Sequence, residues 1–178
     1  SMDLFVGGAS GQASALYLQG ANGFSKSSSA TFAQDKDHED MHATFFDIDG
    51  DQDLDLYVVS GSGEFYRGNA ELLRDRLYLN DGSGNFQKAP KGSIPDHLDG
   101  GAEVMATDFD QDGDLDLVLL NRNVPGEYPL APKSRLYVND GGKLVNGTEE
   151  FAQDVESLNV MATDGVTADI NADGLDDM

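Results

Sequence analysis

A ten-residue acidic segment recurs three times along the chain at a constant interval. Its copies read DIDGDQDLDL, DFDQDGDLDL and DINADGLDDM, and they begin 61 residues apart each time, at Asp47, Asp108 and Asp169. A second element, which reads LYLQGANGF, LYLNDGSGNF and LYVNDGGKL, keeps nearly the same step. Its tyrosines are Tyr17, Tyr78 and Tyr137. Two markers that share one period predict an array of repeated structural units.

Each unit contains four short apolar runs separated by Gly, Asn and Asp. In one unit these runs are ATFF before the acidic segment, LDLYVVS after it, then LYLN and NFQKA. Such runs, bounded by turn residues, predict β-strands. The run after each acidic segment is apolar on both faces, as in 117–120 (LVLL), which indicates a sheet covered on both sides. The stretch AELLRDR at 70–76 predicts one helical turn between the second and third strands.

Four-stranded antiparallel sheets stacked at this period are typical of β-propeller blades. We therefore predict an all-β protein, a partial propeller of β-propeller-type blades with about three blades. The expected units are a partial blade at 3–34, blades at 42–90 and 103–152, and the start of a further blade at 160–178. All of them belong to one repeat array.

The acidic segments have the spacing of a loop that surrounds a cation. They fit D-x-[DN]-x-D-G-x-x-D, apart from Gln52 at position 6 of the first copy, with side-chain oxygens at positions 1, 3, 5 and 9 and a main-chain carbonyl at position 7. Oxygen ligands at this density, without His or Cys, favour Ca²⁺, so we expect up to three calcium sites. The expected metal residues are Asp47, Asp49, Asp51, Asp53, Asp55, Asp108, Asp110, Asp112, Asp114, Asp116, Asp169, Asn171, Asp173, Leu175 and Asp177.

Two other interpretations of the acidic segments agree less well with the sequence. An EF-hand needs flanking helices and a Glu at position 12, but that position is Val58 in the first loop and Leu119 in the second. A solvated acidic turn would explain one copy better than three copies in register. The loops also differ: Gly50 and Gln52 at positions 4 and 6 predict a weaker or reshaped first site, and Asn171 in the last loop predicts a frayed third site.

The charge balance limits the possible partners. The chain has 33 acidic and 11 basic residues, a net charge of -22, and no cysteine. This excess argues against nucleic acid and anionic membrane surfaces as partners. The sequence contains no apolar run of about 18 residues, so we expect no membrane insertion. Calcium loops of this kind fill in calcium-rich surroundings, which predicts an extracellular, cell-surface or periplasmic location.

The acidic loop, the LDLVLL-type strand that follows it and the LYLNDGSGNF element together resemble FG-GAP/VCBS repeats. These repeats form integrin α-chain propellers and occur in many secreted or surface bacterial proteins. The resemblance covers nearly the whole chain and implies a calcium-stabilised β-propeller used for adhesion and ligand binding. The chain departs from a full ring, so we expect open blade edges, which favour pairing within one chain or in a homodimer.

Recognition is expected on the face opposite the acidic loops. Long loops at 61–74 and 122–134 share that face with residues 90–101 and 153–160, and long loops on rigid scaffolds usually carry binding sites. Aromatic and arginine side chains dominate binding hot spots, so we expect a protein or glycan ligand to contact Phe65, Tyr66, Arg67, Arg122 and Tyr128. The alternative is that these aromatic rings only cover blade edges.

Three polar residues occupy one equivalent position, five residues before each first aspartate: His42, Glu103 and Asp164. They either line a central channel, where they could bind a cation, or stay solvated at the strand entry. Catalysis is not expected, because the sequence has no nucleophile elbow, no P-loop and three histidines. The leading hypothesis is a calcium-binding adhesion scaffold; the alternatives are an ancillary part of a secreted carbohydrate-active enzyme and a structural, self-assembling blade array.

Overall fold

A computed structural model describes residues 2–61, 69–151 and 160–177. Phe65, Tyr66 and Arg67, which the sequence placed on the ligand face, lie outside these residues. The strands are β1 Leu4–Val6, β2 Ala15–Gly20, β3 Gly23–Lys26, β4 Asp40–Phe46, β5 Asp55–Ser60, β6 Arg76–Asn80, β7 Phe86–Lys88, β8 Gly100–Thr107, β9 Asp116–Asn123, β10 Arg135–Asn139 and β11 Leu144–Asn146. Short 3₁₀ helices span Phe32–Asp35 and Ala70–Leu73, and α1 spans Thr148–Phe151. The helical turn expected within 70–76 is therefore confirmed.

The strands form three antiparallel sheets that meander in chain order. Their orders are β1-β2-β3, β4-β5-β6-β7 and β8-β9-β10-β11. The register of the second sheet pairs Phe46 with Asp55 and Asn80 with Phe86. This topology places the β4–β5 loop and the β6–β7 turn at one end of the sheet. The predicted all-β partial propeller is confirmed, because the sheets have three or four strands and do not close into a ring.

Strand β5 contributes side chains to two different cores. Leu56 and Val58 belong to a cluster with Leu16 and Phe32 from the first unit. The intervening residues of the strand, including Tyr57, point the other way and pack against Val104, Leu117 and Leu119 of the third sheet. All six residues of β5 are buried. The sheet is thus covered on both faces, which is why its second strand lacks the apolar–polar alternation of an exposed sheet.

Buried polar groups join the second and third sheets. The Asp75 carboxylate accepts hydrogen bonds of 2.8 Å from the Tyr57 hydroxyl and from the Ser60 N–H. The His97 ring lies on the other side, with Nε2 3.5 Å from Asp75 Oδ2 and Nδ1 2.6 Å from the Tyr137 hydroxyl. Burial raises the pKa of Asp75 to about 7. Burial lowers the pKa of His97 to about 4, so the imidazole is neutral at neutral pH.

A second buried polar contact ties the inner and third strands of the second sheet together. Arg76, with 2% of its side chain exposed, places Nη2 2.6 Å from Asp40 Oδ1 and 3.1 Å from the Ser60 hydroxyl. The other oxygen of Asp40 accepts hydrogen bonds from the Gly8 N–H and the Ser14 hydroxyl. Because Gly8 and Ser14 belong to the first unit, this carboxylate connects two sheets.

Residues 160–177 begin a fourth unit. Ala168 and Asp177 form an antiparallel bridge, which corresponds to the pairs Phe46–Asp55 and Thr107–Asp116 of the preceding units. In addition, the Ala162 N–H donates to the Asn121 carbonyl at 3.1 Å. Within the residues that the structure describes, no helix is both long and apolar enough to cross a membrane.

Candidate calcium loops and ligand cleft

The three acidic loops share one hydrogen-bonding pattern. The N–H of position 6 donates to the carboxylate of position 1, in the pairs Gln52–Asp47, Gly113–Asp108 and Gly174–Asp169. The N–H of position 7 donates to the carboxylate of position 5, in the pairs Asp53–Asp51, Asp114–Asp112 and Leu175–Asp173. Side-chain oxygens that accept from the main chain two residues ahead stabilise tight turns. The carboxylates at positions 1 and 5 therefore hold the loop backbone in shape, in addition to offering oxygen atoms to a cation.

The loop backbone is left-handed at positions 4 and 6 in all three copies. Position 4 has φ 77° at Gly50, 64° at Gln111 and 62° at Ala172. Position 6 has φ 74° at Gln52, 101° at Gly113 and 91° at Gly174. The expectation that the first loop would be reshaped is therefore wrong for its backbone. The turn is imposed by the hydrogen bonds to positions 1 and 5, so Gln52 adopts a conformation that costs a non-glycine residue about 1–2 kcal/mol.

The aspartate at position 9 has a different role from the others. Asp116 is fully buried, and its carboxylate accepts 2.8 Å hydrogen bonds from the N–H groups of Phe109 and Asn139. Asp55 makes the equivalent bonds with Ile48 at 3.1 Å and Asn80 at 2.8 Å. Each carboxylate therefore joins the acidic loop to the end of the third strand in its own sheet. The spacing of the sequence predicted an ion ligand and did not reveal this second function.

The structure brings together positions 1, 3 and 9 in two of the loops. Carboxylate oxygens of Asp47, Asp49 and Asp55 lie within 4.8 Å of one another, as do those of Asp108, Asp110 and Asp116. In the third loop position 3 is Asn171, whose Oδ1 accepts the Asp173 N–H at 2.9 Å. Position 5 lies outside the two groups, and position 7 was expected to contribute only its carbonyl oxygen.

The electrostatics of these groups favour a bound cation. Among the described residues, no Lys or Arg lies within 4.0 Å of a carboxylate in the acidic loops. Burial raises the pKa of Asp55 to about 6. Burial and the neighbouring Asp116 and Asp112 also raise the pKa of Asp110. A hard oxygen donor set that carries uncompensated negative charge fits Ca²⁺.

The first loop is also held by the next unit. The Asn139 side-chain amide donates to the Ile48 carbonyl at 2.8 Å, a buried contact across 91 residues of sequence. Gly142, in the β10–β11 turn, lies beside Asp49. A Cβ built on Gly142 would lie 3.4 Å from the Asp49 Cβ, which is an ordinary van der Waals distance. The acidic loop of one unit therefore packs against the third-to-fourth-strand turn of the following unit.

Arg122 and Tyr128, two of the expected ligand residues, line one open cleft of about 800 Å³. The cleft is shared by successive units, because its other lining residues include Glu39, Met41 and Met161. Sequence reasoning missed these three, which lie far apart in the chain and carry no motif. Tyr128 is 83% exposed, so its ring is not covering a blade edge within the described structure.

The inner-strand residues form a partial row. His42 Nε2 lies 3.0 Å from Glu103 Oε1, and burial together with the charge of Asp164 raises the pKa of Glu103 while His42 lowers it. Asp164 is exposed and accepts the Gly165 N–H at 2.8 Å. His42 and Glu103 thus link adjacent inner strands, whereas Asp164 stays exposed, as the solvated alternative expects.

The fold and the loops define a class of protein: a β-propeller-like repeat array whose unit couples an acidic, cation-suited loop to a four-stranded blade. Residues 1–58 and 60–119 match the FG-GAP-like repeat family as two adjacent repeats. The match covers about two thirds of the chain, and the chain belongs to this family. The resemblance inferred from the sequence is confirmed. A search of curated proteins found no match.

Proposed function

We propose that the chain is a calcium-binding β-propeller repeat module that serves as an extracellular binding and adhesion scaffold. The observation that carries the proposal is the convergence of three carboxylates in each of two loops, with no Lys or Arg of the described residues within 4.0 Å of them. Bound Ca²⁺ would supply the missing positive charge. Asp47, Asp49 and Asp55 would hold it in the first loop, and the equivalent residues in the second.

The chain's own residues would convert ion binding into rigidity of the blade stack. Asp55 and Asp116 already fasten the loop to the third strand of the same sheet, and Asn139 fastens the first loop to the next sheet. Fixing the loop carboxylates would therefore hold two sheets in register. A calcium requirement also supports the expected extracellular, surface or periplasmic location, where calcium is abundant.

The face opposite the acidic loops would bind a protein or glycan partner. Arg122 and Tyr128 support this part of the proposal, since both line one cleft although five residues separate them in the sequence. The cleft lies where the long connection between β9 and β10 leaves its sheet, and such loops on rigid scaffolds carry recognition.

Thermal unfolding in calcium and in EDTA tests the proposal. A site filled to 100 times its Kd stabilises the folded state by about 2.7 kcal/mol, and about 1 kcal/mol corresponds to roughly 2–4 °C for a domain of this size. We expect Tm to fall by about 5–11 °C for each site emptied by EDTA, and Mg²⁺ to restore little of it. A Tm that is the same in calcium and EDTA would refute calcium stabilisation.

A homodimer is the second candidate arrangement. In the order β1-β2-β3, β1 has no strand partner on its outer side among the described residues, whereas the equivalent strands β5 and β9 pair with β4 and β8. An unpaired strand edge favours association with another strand. Light scattering after size-exclusion chromatography should then give twice the monomer mass of 19.0 kDa; a monomer at all concentrations would exclude this arrangement.

A further inference from the structure

We propose that the cleft lined by Arg122 and Tyr128 binds an acidic segment of a protein partner, with Arg122 pairing with a single Asp or Glu carboxylate. This inference rests on the proposed function, because it assigns a ligand class to the recognition face described above. The acidic loops at the other end of the sheets play no part in it.

Arg122 is available for a ligand in a way that the other described arginines are not. Ion pairs join Arg74 to Glu71 and Asp96, Arg76 to Asp40, and Arg135 to Asp99. Of the four arginines that the structure describes, Arg122 alone has no carboxylate within 4.0 Å among the described residues. In a chain with a net charge of -22, an exposed guanidinium without an internal partner is suited to an external anion.

The blade architecture does not require an arginine at this position. The equivalent residue 61 positions earlier is Gly61, which the Met41 side chain covers so closely that a Cβ there would lie 2.5 Å from Met41 Cγ. Gly61 directly follows β5, and Arg122 lies one residue before the end of β9. Arg122 is therefore a feature of one of the two units compared, and a structural role common to both does not explain it.

The surroundings of Arg122 favour a peptide over a sugar. Met41 is 42% exposed, Met161 is half-buried, and Tyr128 presents most of its ring to solvent. Thioether side chains adapt to apolar side chains of a partner, and Tyr, Met and Arg are the residues enriched in protein interfaces. A sugar site would be expected to use more planar polar side chains and stacked rings than this cleft contains. The cleft thus fits an acidic residue with an apolar neighbour.

Glu39, which lines the same cleft and is half-buried, restricts the ligand further. A carboxylate at this position repels a second negative charge placed beside the first. The expected partner segment therefore carries one acidic residue with neutral neighbours, rather than a run of Asp or Glu.

Two main-chain turns hold the loop that presents Tyr128. In them the Glu127 N–H donates to the Val124 carbonyl and the Leu130 N–H donates to the Glu127 carbonyl.

The test uses two probes of nearly the same shape, N-acetyl-aspartate methylamide and its neutral asparagine analogue. Protein labelled with ¹³C at the methionine methyl groups reports binding through the signals of Met41 and Met161. We expect the aspartate probe to shift both signals along a saturable curve and to bind at least about fivefold more tightly than the asparagine probe, which corresponds to about 1 kcal/mol. Arg122→Gln should abolish this preference.

Lys143→Gln is the matched control, since it removes the same charge from an exposed residue in the β10–β11 turn, at the opposite end of the sheet. This variant should prefer the aspartate probe over the asparagine probe as strongly as the wild type does. Equal binding of the two probes, no shift with either, or a shift with glucuronate but not with the aspartate probe would overturn the inference. Those outcomes leave calcium stabilisation intact, whereas loss of the EDTA effect on Tm would overturn the proposed function separately.

Discussion

Asp116→Asn separates the two roles that the structure gives to the ninth residue of the acidic loop. The wild-type carboxylate accepts 2.8 Å hydrogen bonds from the N–H groups of Phe109 and Asn139 while fully buried. An asparagine has one acceptor oxygen, so it can satisfy one of these donors. The side-chain N–H₂ of the asparagine then faces the second main-chain N–H, and these two donors are left without an acceptor.

The cost can be estimated from the lost contacts. A hydrogen bond to a charged group contributes about 1.5–3 kcal/mol, and a buried donor without a partner costs about 1–3 kcal/mol. The lost hydrogen bond and the unpaired donor describe partly the same cost, so the two values do not add in full. We therefore expect Asp116→Asn to lower the free energy of unfolding by about 2–4 kcal/mol in EDTA. In calcium at 100 times Kd the wild type gains about 2.7 kcal/mol that the variant forgoes, so the difference should grow to about 5–7 kcal/mol.

Urea unfolding followed by circular dichroism, with and without calcium, measures both values. Asp114→Asn is the control, because Asp114 is exposed and only its main-chain carbonyl was expected to bind the ion; a surface change of this kind costs less than about 0.5 kcal/mol. If Asp116→Asn were neutral in EDTA and destabilising only in calcium, the hydrogen-bonding argument would be refuted. Equal losses in both conditions would instead show that Asp116 is not an ion ligand.

Three other substitutions test the strain, the buried ion pair and the buried titrating groups. Gln52→Gly relieves a residue at φ 74° and should raise the free energy of unfolding by about 1 kcal/mol; a decrease in the urea midpoint would contradict this. Arg76→Met leaves the Asp40 carboxylate buried without its cation and should cost about 3–5 kcal/mol, part of which Asp40→Asn in the same chain should restore; a single variant as stable as the wild type would show the pair to be dispensable. The raised pKa of Asp75, about 7, makes its contribution to stability fall as pH rises from about 4 to 7, while the lowered pKa of His97, about 4, makes its contribution rise up to about 6.5. These two pH dependences oppose each other, and each is at most about 1.4 kcal/mol per pH unit. Because His97→Gln removes the rising contribution, the variant should lose stability relative to the wild type as pH rises from 4.5 to 6.5. A difference in the free energy of unfolding that does not change with pH in urea titrations would refute the assignment.

The sequence predicted the blade pattern because the information is local. Short apolar runs, turn residues and a 61-residue period are each readable within one unit, and they yielded the antiparallel order, the sheet covered on both faces and the 3₁₀ turn at Ala70–Leu73. The positions of the acidic loops followed from the same period. These features do not depend on which other unit lies beside them.

The features that the sequence did not predict depend on contacts between distant residues. The hydrogen bond from Asn139 to Asp116 spans 23 residues, so a motif of nine residues cannot contain it. The conformation of Gln52 is set by acceptors around it, against the preference of its own side chain. Met41 and Met161 line the same cleft although they are 120 positions apart in the sequence, and no pattern within either segment indicates that proximity.

The hydrogen bond from Asn139 to the Ile48 carbonyl gives the array a direction. In this pair of units the turn of the later unit completes the loop of the earlier one, so a gene duplication or deletion that changes the order of these units would change which side chain closes that loop. Exchange of units between related proteins would therefore be tolerated where an asparagine is retained at the receiving turn. The segment that would have to be exchanged as a whole therefore does not coincide with one four-stranded sheet, because it runs from one acidic loop to the turn that covers it.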